Sequence, residues 1–256
     1  MYRDLALSGY VLSRMYDEVS STMDVARDAL SELRGGHGVV CALRQTSGRG
    51  RQGRKWVSQD DALMTTFLFS TTDSLHACSG YSLAVGVSLA DAFKELAASV
   101  YLKWPNDLVT VHDDAIKKIG GILIEVQDMG ASRVLLVGIG VNLASAPGTI
   151  EGASSIQELR GEAPSLELVL QQIGRHLLKG HYRFMEQGGF ASIRCDWESY
   201  SCFIKGQTEV TLDLGERKVK GVFEGVDDTG ALLLAGAGEI ITCHSGHTVS
   251  LKNLRR

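Results

Sequence analysis

Apolar positions recur along this chain in two rhythms, and the rhythm changes near Phe203. Residues 10–16 read as a first strand. Met23, Ala26, Leu30 and Leu33 follow at helical spacing, which predicts a helix over 22–33. Ser21-x-x-Asp24 resembles a capping box with Asp in place of Glu or Gln, and Gly35-Gly36 would end the helix. Apolar runs at 39–43 and 63–69 read as strands, separated by a loop rich in glycine and arginine. A long apolar helix is predicted over 81–98, then strands at 100–103, 119–126 and 133–141. Residues 145–152, with Pro147, read as a loop. Ser165 would cap a helix carrying Leu166, Leu170, Ile173, Leu177 and Phe184 on one stripe, and a short helix is predicted at 190–200.

Beyond Phe203 the segments shorten to 208–212, 218–226, 231–234 and 239–242, with turn signals at Asp213-Leu214-Gly215 and Asp227-Asp228-Thr229-Gly230. Strands that follow one another with few helices between them predict an α+β fold. The expectation is a mixed, largely antiparallel sheet with flanking helices over 1–203, and a small SH3-like β-barrel over 204–256.

Composition narrows the function classes. With 256 residues, 44% of them hydrophobic, the chain can bury a sizeable core. A net charge of −4 gives no support to a nucleic-acid-binding protein as a whole. Cys41, Cys78, Cys195, Cys202 and Cys243 are scattered and form no CxxC or CxxH pair. Neither a disulfide framework nor a zinc site is expected, and free thiols suit a reducing compartment, the cytoplasm. No apolar run reaches signal-peptide or membrane-spanning length.

Three segments carry candidate chemistry. The first, 44–56, reads RQTSGRGRQGRKW: Arg44, Arg49, Arg51, Arg54 and Lys55 are basic, and Gly48, Gly50 and Gly53 let the backbone approach a ligand. This suits an anion, above all a polyphosphate. A solvated basic loop or an RNA-binding patch are the competing readings. Gly48-x-Gly50-x-x-Gly53 also matches a dinucleotide fingerprint, but a strand is predicted where that motif needs a helix, so the match is set aside. The second segment is Lys103-Trp104-Pro105-Asn106-Asp107, a strand end or turn. Its carboxylate can bind Mg²⁺ beside phosphates, or the segment is an ordinary Asx turn. The third is Lys117-Lys118-Ile119-Gly120-Gly121-Ile122-Leu123. Its glycines inside a strand pattern mark a close approach, and its lysine stands over a ligand or is simply solvated.

In order and spacing, Ser21-Thr22, the Gln45–Trp56 loop, Lys103–Asp107, Lys118–Leu123 and Gly138-Ile139-Gly140-Val141-Asn142 together resemble the biotin–protein ligase family over roughly residues 10–250. The resemblance implies a class II synthetase-like ligase domain. It implies ATP and biotin as substrates, Mg²⁺, and biotinyl-5′-AMP as the intermediate. The partner it implies is a biotin carboxyl carrier protein, or such a domain of a biotin-dependent carboxylase. By resemblance Ser21, Thr22, Met23, Gln45, Gly48, Arg49, Gly50, Arg51, Lys118 and Gly121 bind biotin. Arg51, Arg54, Trp56, Lys103, Asn106 and Asn142 bind the nucleotide, while Lys118, Arg51 and Asp107 carry the catalysis, with Asp107 also the Mg²⁺ candidate.

Two positions depart from the family pattern: Met23 stands where Asn is usual and Gln52 where Arg is frequent. Ser21 could equally serve only as a helix cap, Trp56 only as a core anchor, and Lys117 would replace Lys118 if the register slipped by one. Some relatives carry a DNA-binding helix-turn-helix ahead of the ligase domain. Ser21-Thr22 begins about 20 residues in, so a short form without it, and no DNA partner, is the expectation. Relatives often form homodimers, which makes a second copy a further candidate partner. A lipoate–protein ligase, which shares the fold and chemistry, and a nucleic-acid-binding module built on the arginine loop are the alternative functions.

Overall fold

Long apolar runs form the middle of the main sheet because both of its faces are covered. The computed structural model describes residues 2–59, 61–112, 115–236 and 238–255. Strands β1 (Tyr2–Asp4), β2 (Leu12–Val19), β3 (His37–Gln45), β4 (Ala62–Thr71), β5 (Tyr101–Lys103), β6 (Asp107–His112), β7 (Ala115–Asp128) and β8 (Arg133–Asn142) form an eight-stranded sheet. Its order is β1-β2-β3-β4-β8-β7-β6-β5. Only β2 and β3 pair in parallel; every other ladder is antiparallel. At the centre, β4 and β8 pair from Ala62↔Asn142 to Thr71↔Arg133.

Leu63, Phe67 and Phe69 of β4, with Val137 and Ile139 of β8, pack into the core shared with helices α2 (Tyr81–Glu95) and α4 (Leu166–Glu186). Leu68, Val134 and Leu136 face the other way, onto Met23, Ala26, Leu30 and Leu33. This period of two sorts one strand's side chains between two helical layers. Helix α3 (Ile156–Arg160) lies in the connection before α4, and α5 (Arg194–Tyr200) follows it. No helix among the described residues is long and apolar enough to cross a membrane.

Helix α1 covers Thr22–Asp28, shorter than its apolar spacing predicts. Leu30–Glu32 continues as a 3₁₀ turn, which keeps Leu30 and Leu33 on the buried side although the α-helical bonding has ended. The expected capping box does not form: Ser21 Oγ caps the helix by accepting the Met23 N–H at 3.3 Å, and the Asp24 carboxylate turns to arginines instead. Strands β1 and β6 and helix α3 carried no clear periodic signal, being only three to six residues long.

The C-terminal segment forms a five-stranded antiparallel sheet, β9 (Glu209–Asp213), β10 (Lys218–Val226), β11 (Leu232–Gly236), β12 (Glu239–Cys243) and β13 (His247–Lys252). Its order is β12-β11-β10-β9-β13, and among the described residues no ladder joins β12 to β13. The expected barrel is therefore a small unclosed sheet. It is tied to the main sheet at Trp104, whose buried indole N–H donates to the Gly230 carbonyl at 3.0 Å.

His181 of α4 lies in the core between these layers. Its Nδ1 is 2.8 Å from Tyr81 Oη, and its ring stacks on Phe69 with centroids 4.7 Å apart. Burial, reinforced by the nearby His37, pushes its pKa down to about 3. The unfolded chain takes up this proton near 6.5, so stability falls as pH drops from about 6.5 towards 3, by at most about 1.4 kcal/mol per pH unit. Chemical denaturation at pH 7.5 and pH 5 should show this loss, and His181→Gln should flatten it by close to one proton's worth of slope.

Candidate functional site

A cavity of about 310 Å³ opens where the first turn of α1, the 45–56 loop, the 103–107 turn and the glycine-bearing parts of β7 and β8 converge. Its uncharged end is built on α1. Ser21 and Thr22 are buried there. The Thr22 backbone N–H and Oγ1 both donate to Gln45 Oε1, at 2.7 and 3.1 Å, and Thr66 Oγ1 donates to Thr22 Oγ1 at 2.9 Å. This relay fixes the Gln45 amide at the cavity wall, and Ser21, which caps α1, lines the same wall, so capping and wall-lining coexist in Ser21. Met23 is buried with its thioether against Gly138, where an added Cβ would stand 2.9 Å from Sδ.

The loop is a tight hairpin. Gly50 N–H donates to the Arg54 carbonyl at 2.7 Å, Trp56 N–H to the Gly48 carbonyl at 2.9 Å, and Arg49 bridges to Lys55. Its reversal needs two consecutive left-handed residues, Gln52 (φ 55°) and Gly53 (φ 72°), a geometry that glycine accepts at the second position without strain. No α-helix follows; β4 does, which removes the dinucleotide reading. The hairpin crosses the cavity. Arg49 Nη2 donates to Asp24 at 2.6 Å, Arg51 Nη1 to Asn106 Oδ1 at 3.1 Å, and Arg54 Nη1 lies 3.4 Å from His247 Nδ1. Burial, helped by Arg54 and opposed by Asp107, holds the Arg51 guanidinium below the usual arginine range. It remains a cation, but one with part of its hydration removed.

Trp56 lies across the two glycine strands. An added Cβ at Gly140 would stand 2.5 Å from its ring, and one at Gly121 would stand 3.8 Å away. Its indole N–H is buried without a partner among the described residues.

The third wall is the 103–107 turn, with a cis Trp104–Pro105 peptide. Asn106 donates to the Ile122 carbonyl at 2.9 Å and accepts the Ile122 N–H on its own carbonyl at 2.9 Å. Asp107 stands between two lysines, with Oδ1 2.5 Å from Lys118 Nζ and Oδ2 3.6 Å from Lys103 Nζ. Lys118 is therefore the lysine that faces the cavity, while Lys117 lies 4.0 Å from Glu158.

Among the described residues the lining gathers six cations (Arg49, Arg51, Arg54, Lys55, Lys103 and Lys118) and a single carboxylate, Asp107. That excess fits a polyanion and argues against a merely solvated loop. As a preformed Mg²⁺ site the set fits poorly, because both Asp107 oxygens face ammonium groups and no cluster of three or more His, Cys, Asp or Glu suited to a metal occurs among the described residues.

Two expected residues sit outside the lining. Gly48 lies beneath the hairpin, where a Cβ would meet the Trp56 carbonyl at 2.8 Å. Asn142, also buried, donates to the Ser154 carbonyl at 3.0 Å, and its Oδ1 has no partner among the described residues. Sequence reasoning missed Gly246, His247 and Thr248, which bring the C-terminal sheet into the cavity. Strand β13 is largely exposed, and its two apolar positions, Val249 and Leu251, are too short an alternation to mark it. Burial, then the charges of Arg54 and Lys103, hold His247 below the usual histidine range.

Comparison with known proteins agrees with this architecture. Residues 16–142 match the profile of the biotin/lipoate A/B protein ligase family, and residues 208–247 match the biotin protein ligase C-terminal domain. The bifunctional ligase/repressor BirA of Escherichia coli (strain K12) is 31% identical over 245 residues, covering 93% of this chain and 73% of its own. The biotin–[acetyl-CoA-carboxylase] ligase of Paracoccus denitrificans is 33% identical over 207 residues, covering 77% of this chain and 83% of its own. Among solved structures, the biotin protein ligase from Aquifex aeolicus in complex with biotin and ATP superposes with a TM-score of 0.74 at 30% identity, covering 94% of this chain and 98% of that one. The chain thus belongs to the biotin/lipoate A/B protein ligase family, among its biotin protein ligases.

Proposed function

We propose that this protein activates biotin with ATP and passes the biotinyl group to a specific lysine of a biotin carboxyl carrier protein, releasing AMP and pyrophosphate. One observation carries the reading: a single cavity joins an uncharged hydrogen-bonding end at Ser21, Thr22 and Gln45 to walls that, among the described residues, carry six cations and one carboxylate. The first end suits a ureido head, the second a carboxylate beside a triphosphate. The substrates named for the relatives, biotin and ATP, have those groups. The relatives' naming for acetyl-CoA carboxylase supports a carboxylase carrier as the acceptor. The division at 203/204, into a catalytic part and a part that closes the site, belongs to this proposal. So does a cytoplasmic location, supported by five cysteines that are all free.

The chemistry takes two steps. A biotin carboxylate oxygen attacks the α-phosphorus of ATP, the bond to the bridging oxygen breaks, and pyrophosphate leaves with its electron pair. Both reactants are anions, so the barrier includes their repulsion. Arg51 and Lys118 are assigned to the reacting carboxylate and α-phosphate, and Arg54 and Lys103 to the leaving phosphates. Biotin is held by Ser21, Thr22, Met23 and Gln45, with Gly48, Arg49, Gly50 and Gly121 shaping the cover. Trp56, Asn106 and Asn142 are assigned to the nucleotide, and the unpartnered Asn142 Oδ1 supports a hydrogen-bond donor such as an adenine amine. In the second step a carrier lysine attacks the acyl carbon and AMP departs. Asp107, the one carboxylate of the lining among the described residues, is assigned to orient that amine and accept its proton.

Incubation with ATP and either biotin or lipoate, scored for adenylate and for carrier labelling, tests the reading. Biotinyl-adenylate is the expected product, and exclusive use of lipoate would overturn the assignment. Lys118→Ala should lower adenylate synthesis by about a hundredfold or more, as expected for loss of a group that stabilises developing charge. Arg51→Gly should let the adenylate escape, labelling bystander lysines. Gly140→Ala should push Trp56 off its seat and raise the ATP KM about tenfold, the order expected from overpacking a close contact. Because Trp104 and Trp197 are both buried at 1% exposure, acrylamide quenching reads Trp56 in that variant.

A further inference from the structure

We propose that Asp24 is a positioning residue that latches the 45–56 hairpin over the site through Arg49, an inference that rests on the ligase reading above. The latch is the end of a charged chain whose other members, Asp24, Arg27 and Glu125, lie outside the cavity lining that Arg49 joins. Arg49 Nη2 and Arg27 Nη1 both donate to Asp24 Oδ1, at 2.6 and 3.0 Å, and Arg27 is itself held by Glu125 of β7. Glu125 thus sets Arg27, Arg27 sets the Asp24 carboxylate, and Asp24 takes hold of the loop.

Its place in the chain gives the contact leverage. Asp24 follows Ser21, Thr22 and Met23, which line the uncharged end of the cavity. Arg49 precedes Gly50 and Arg51, which line its roof. Two residues beyond Arg49, Arg51 reaches across the cavity to Asn106. The hairpin is therefore held on both sides of the mouth, and the α1 side rests on Asp24. The pair is partly exposed, at 41% for Arg49 and 39% for Asp24, so it is weak and screened by salt. Those are the properties of a contact that must open for entry and exit. Asp24 approaches the reacting atoms only through Arg49, so its loss changes how long the hairpin stays shut and leaves the chemical step alone.

The test uses the full-length protein with biotin, ATP and the carrier. Adenylate released to solution is measured against adenylate transferred, across 0.05–1 M salt (roughly from ten-angstrom-plus screening lengths down to a few ångström). Asp24→Asn should raise the released share about two- to fivefold at low salt. The single-turnover rate of adenylate formation should stay unchanged, and Asp24→Glu should restore retention. In the wild type the released share should climb with salt towards the Asp24→Asn level, while Asp24→Asn itself should respond little. Glu125→Gln should act in the same direction but more weakly, which keeps the idea testable if Asp24→Asn fails to fold. Equal retention and equal salt response in wild type and variants would overturn the latch. Failure of every form to make adenylate would instead overturn the ligase reading, since a broken latch leaves synthesis intact.

Discussion

Like charges confined in a small space repel, and this fold is organised around that repulsion. Among the described residues, six cations share the lining of a cavity of about 310 Å³ with a single carboxylate. Two unit charges about 8 Å apart repel by roughly 2 kcal/mol at an effective dielectric constant near 20. No single contact offsets a cluster of that kind, so the cations must be fixed by separate structural elements. Lys103 ends β5, Lys118 lies on β7, and Arg49, Arg51 and Arg54 ride on the hairpin between β3 and β4. Asp107 offsets two of the charges directly, with a lysine on each carboxylate oxygen. The remaining excess is what an anionic ligand would neutralise. The same imbalance therefore favours binding of a polyanion.

Holding that arrangement requires the backbone to come close to the ligand without side chains in the way. Gly121 and Gly140 face each other across the β7–β8 ladder, and the Trp56 ring lies on the floor they leave. Around this floor the hydrogen bonds lock the walls and not the space between them. Asn106 is tied to Ile122 by two bonds, Thr22 to Gln45 by two, and the 152–154 segment to Lys118 by backbone bonds on either side. The buried polar atoms left without partners among the described residues include Trp56 Nε1 and Asn142 Oδ1, beside or just behind the cavity. Unsatisfied groups cost stability when buried, and their placement next to a ligand site gives that cost a use.

Much of this was legible in the sequence, and the limits were physical. The central strands were clear because their apolar runs are long and buried on both faces, as β4 shows. The glycine–arginine hairpin and the Lys103–Asp107 turn were visible because charge and glycine cluster locally. What escaped depended on partners remote in sequence. Strand β6 gains its meaning only by pairing with β5 and β7, and β13 by pairing with β9. The 22–33 periodicity hid a change from α-helix to 3₁₀ turn, since both geometries can bury Leu30 and Leu33. Asp24 looked like part of a capping box because spacing shows which groups can meet, not which partner wins. Two arginines, one of them 25 residues away, took its carboxylate.

The contribution of the C-terminal sheet follows from the same charge constraint. His247, at the start of β13, stands beside Arg54 and near Lys103, and burial adds to their effect in holding its pKa below the usual histidine range. At neutral pH the ring is therefore uncharged. In the tautomer protonated at Nε2, its Nδ1 is free to accept the Arg54 N–H across 3.4 Å. A lysine or arginine at this position would fix nothing and would add a seventh positive charge. A carboxylate would hold Arg54 more firmly but would cancel part of the field meant for the ligand. A neutral acceptor orients the guanidinium and leaves the charge balance untouched. The Trp104–Gly230 bond adds a second hydrogen bond between the C-terminal sheet and the main sheet, and it too brings no charge.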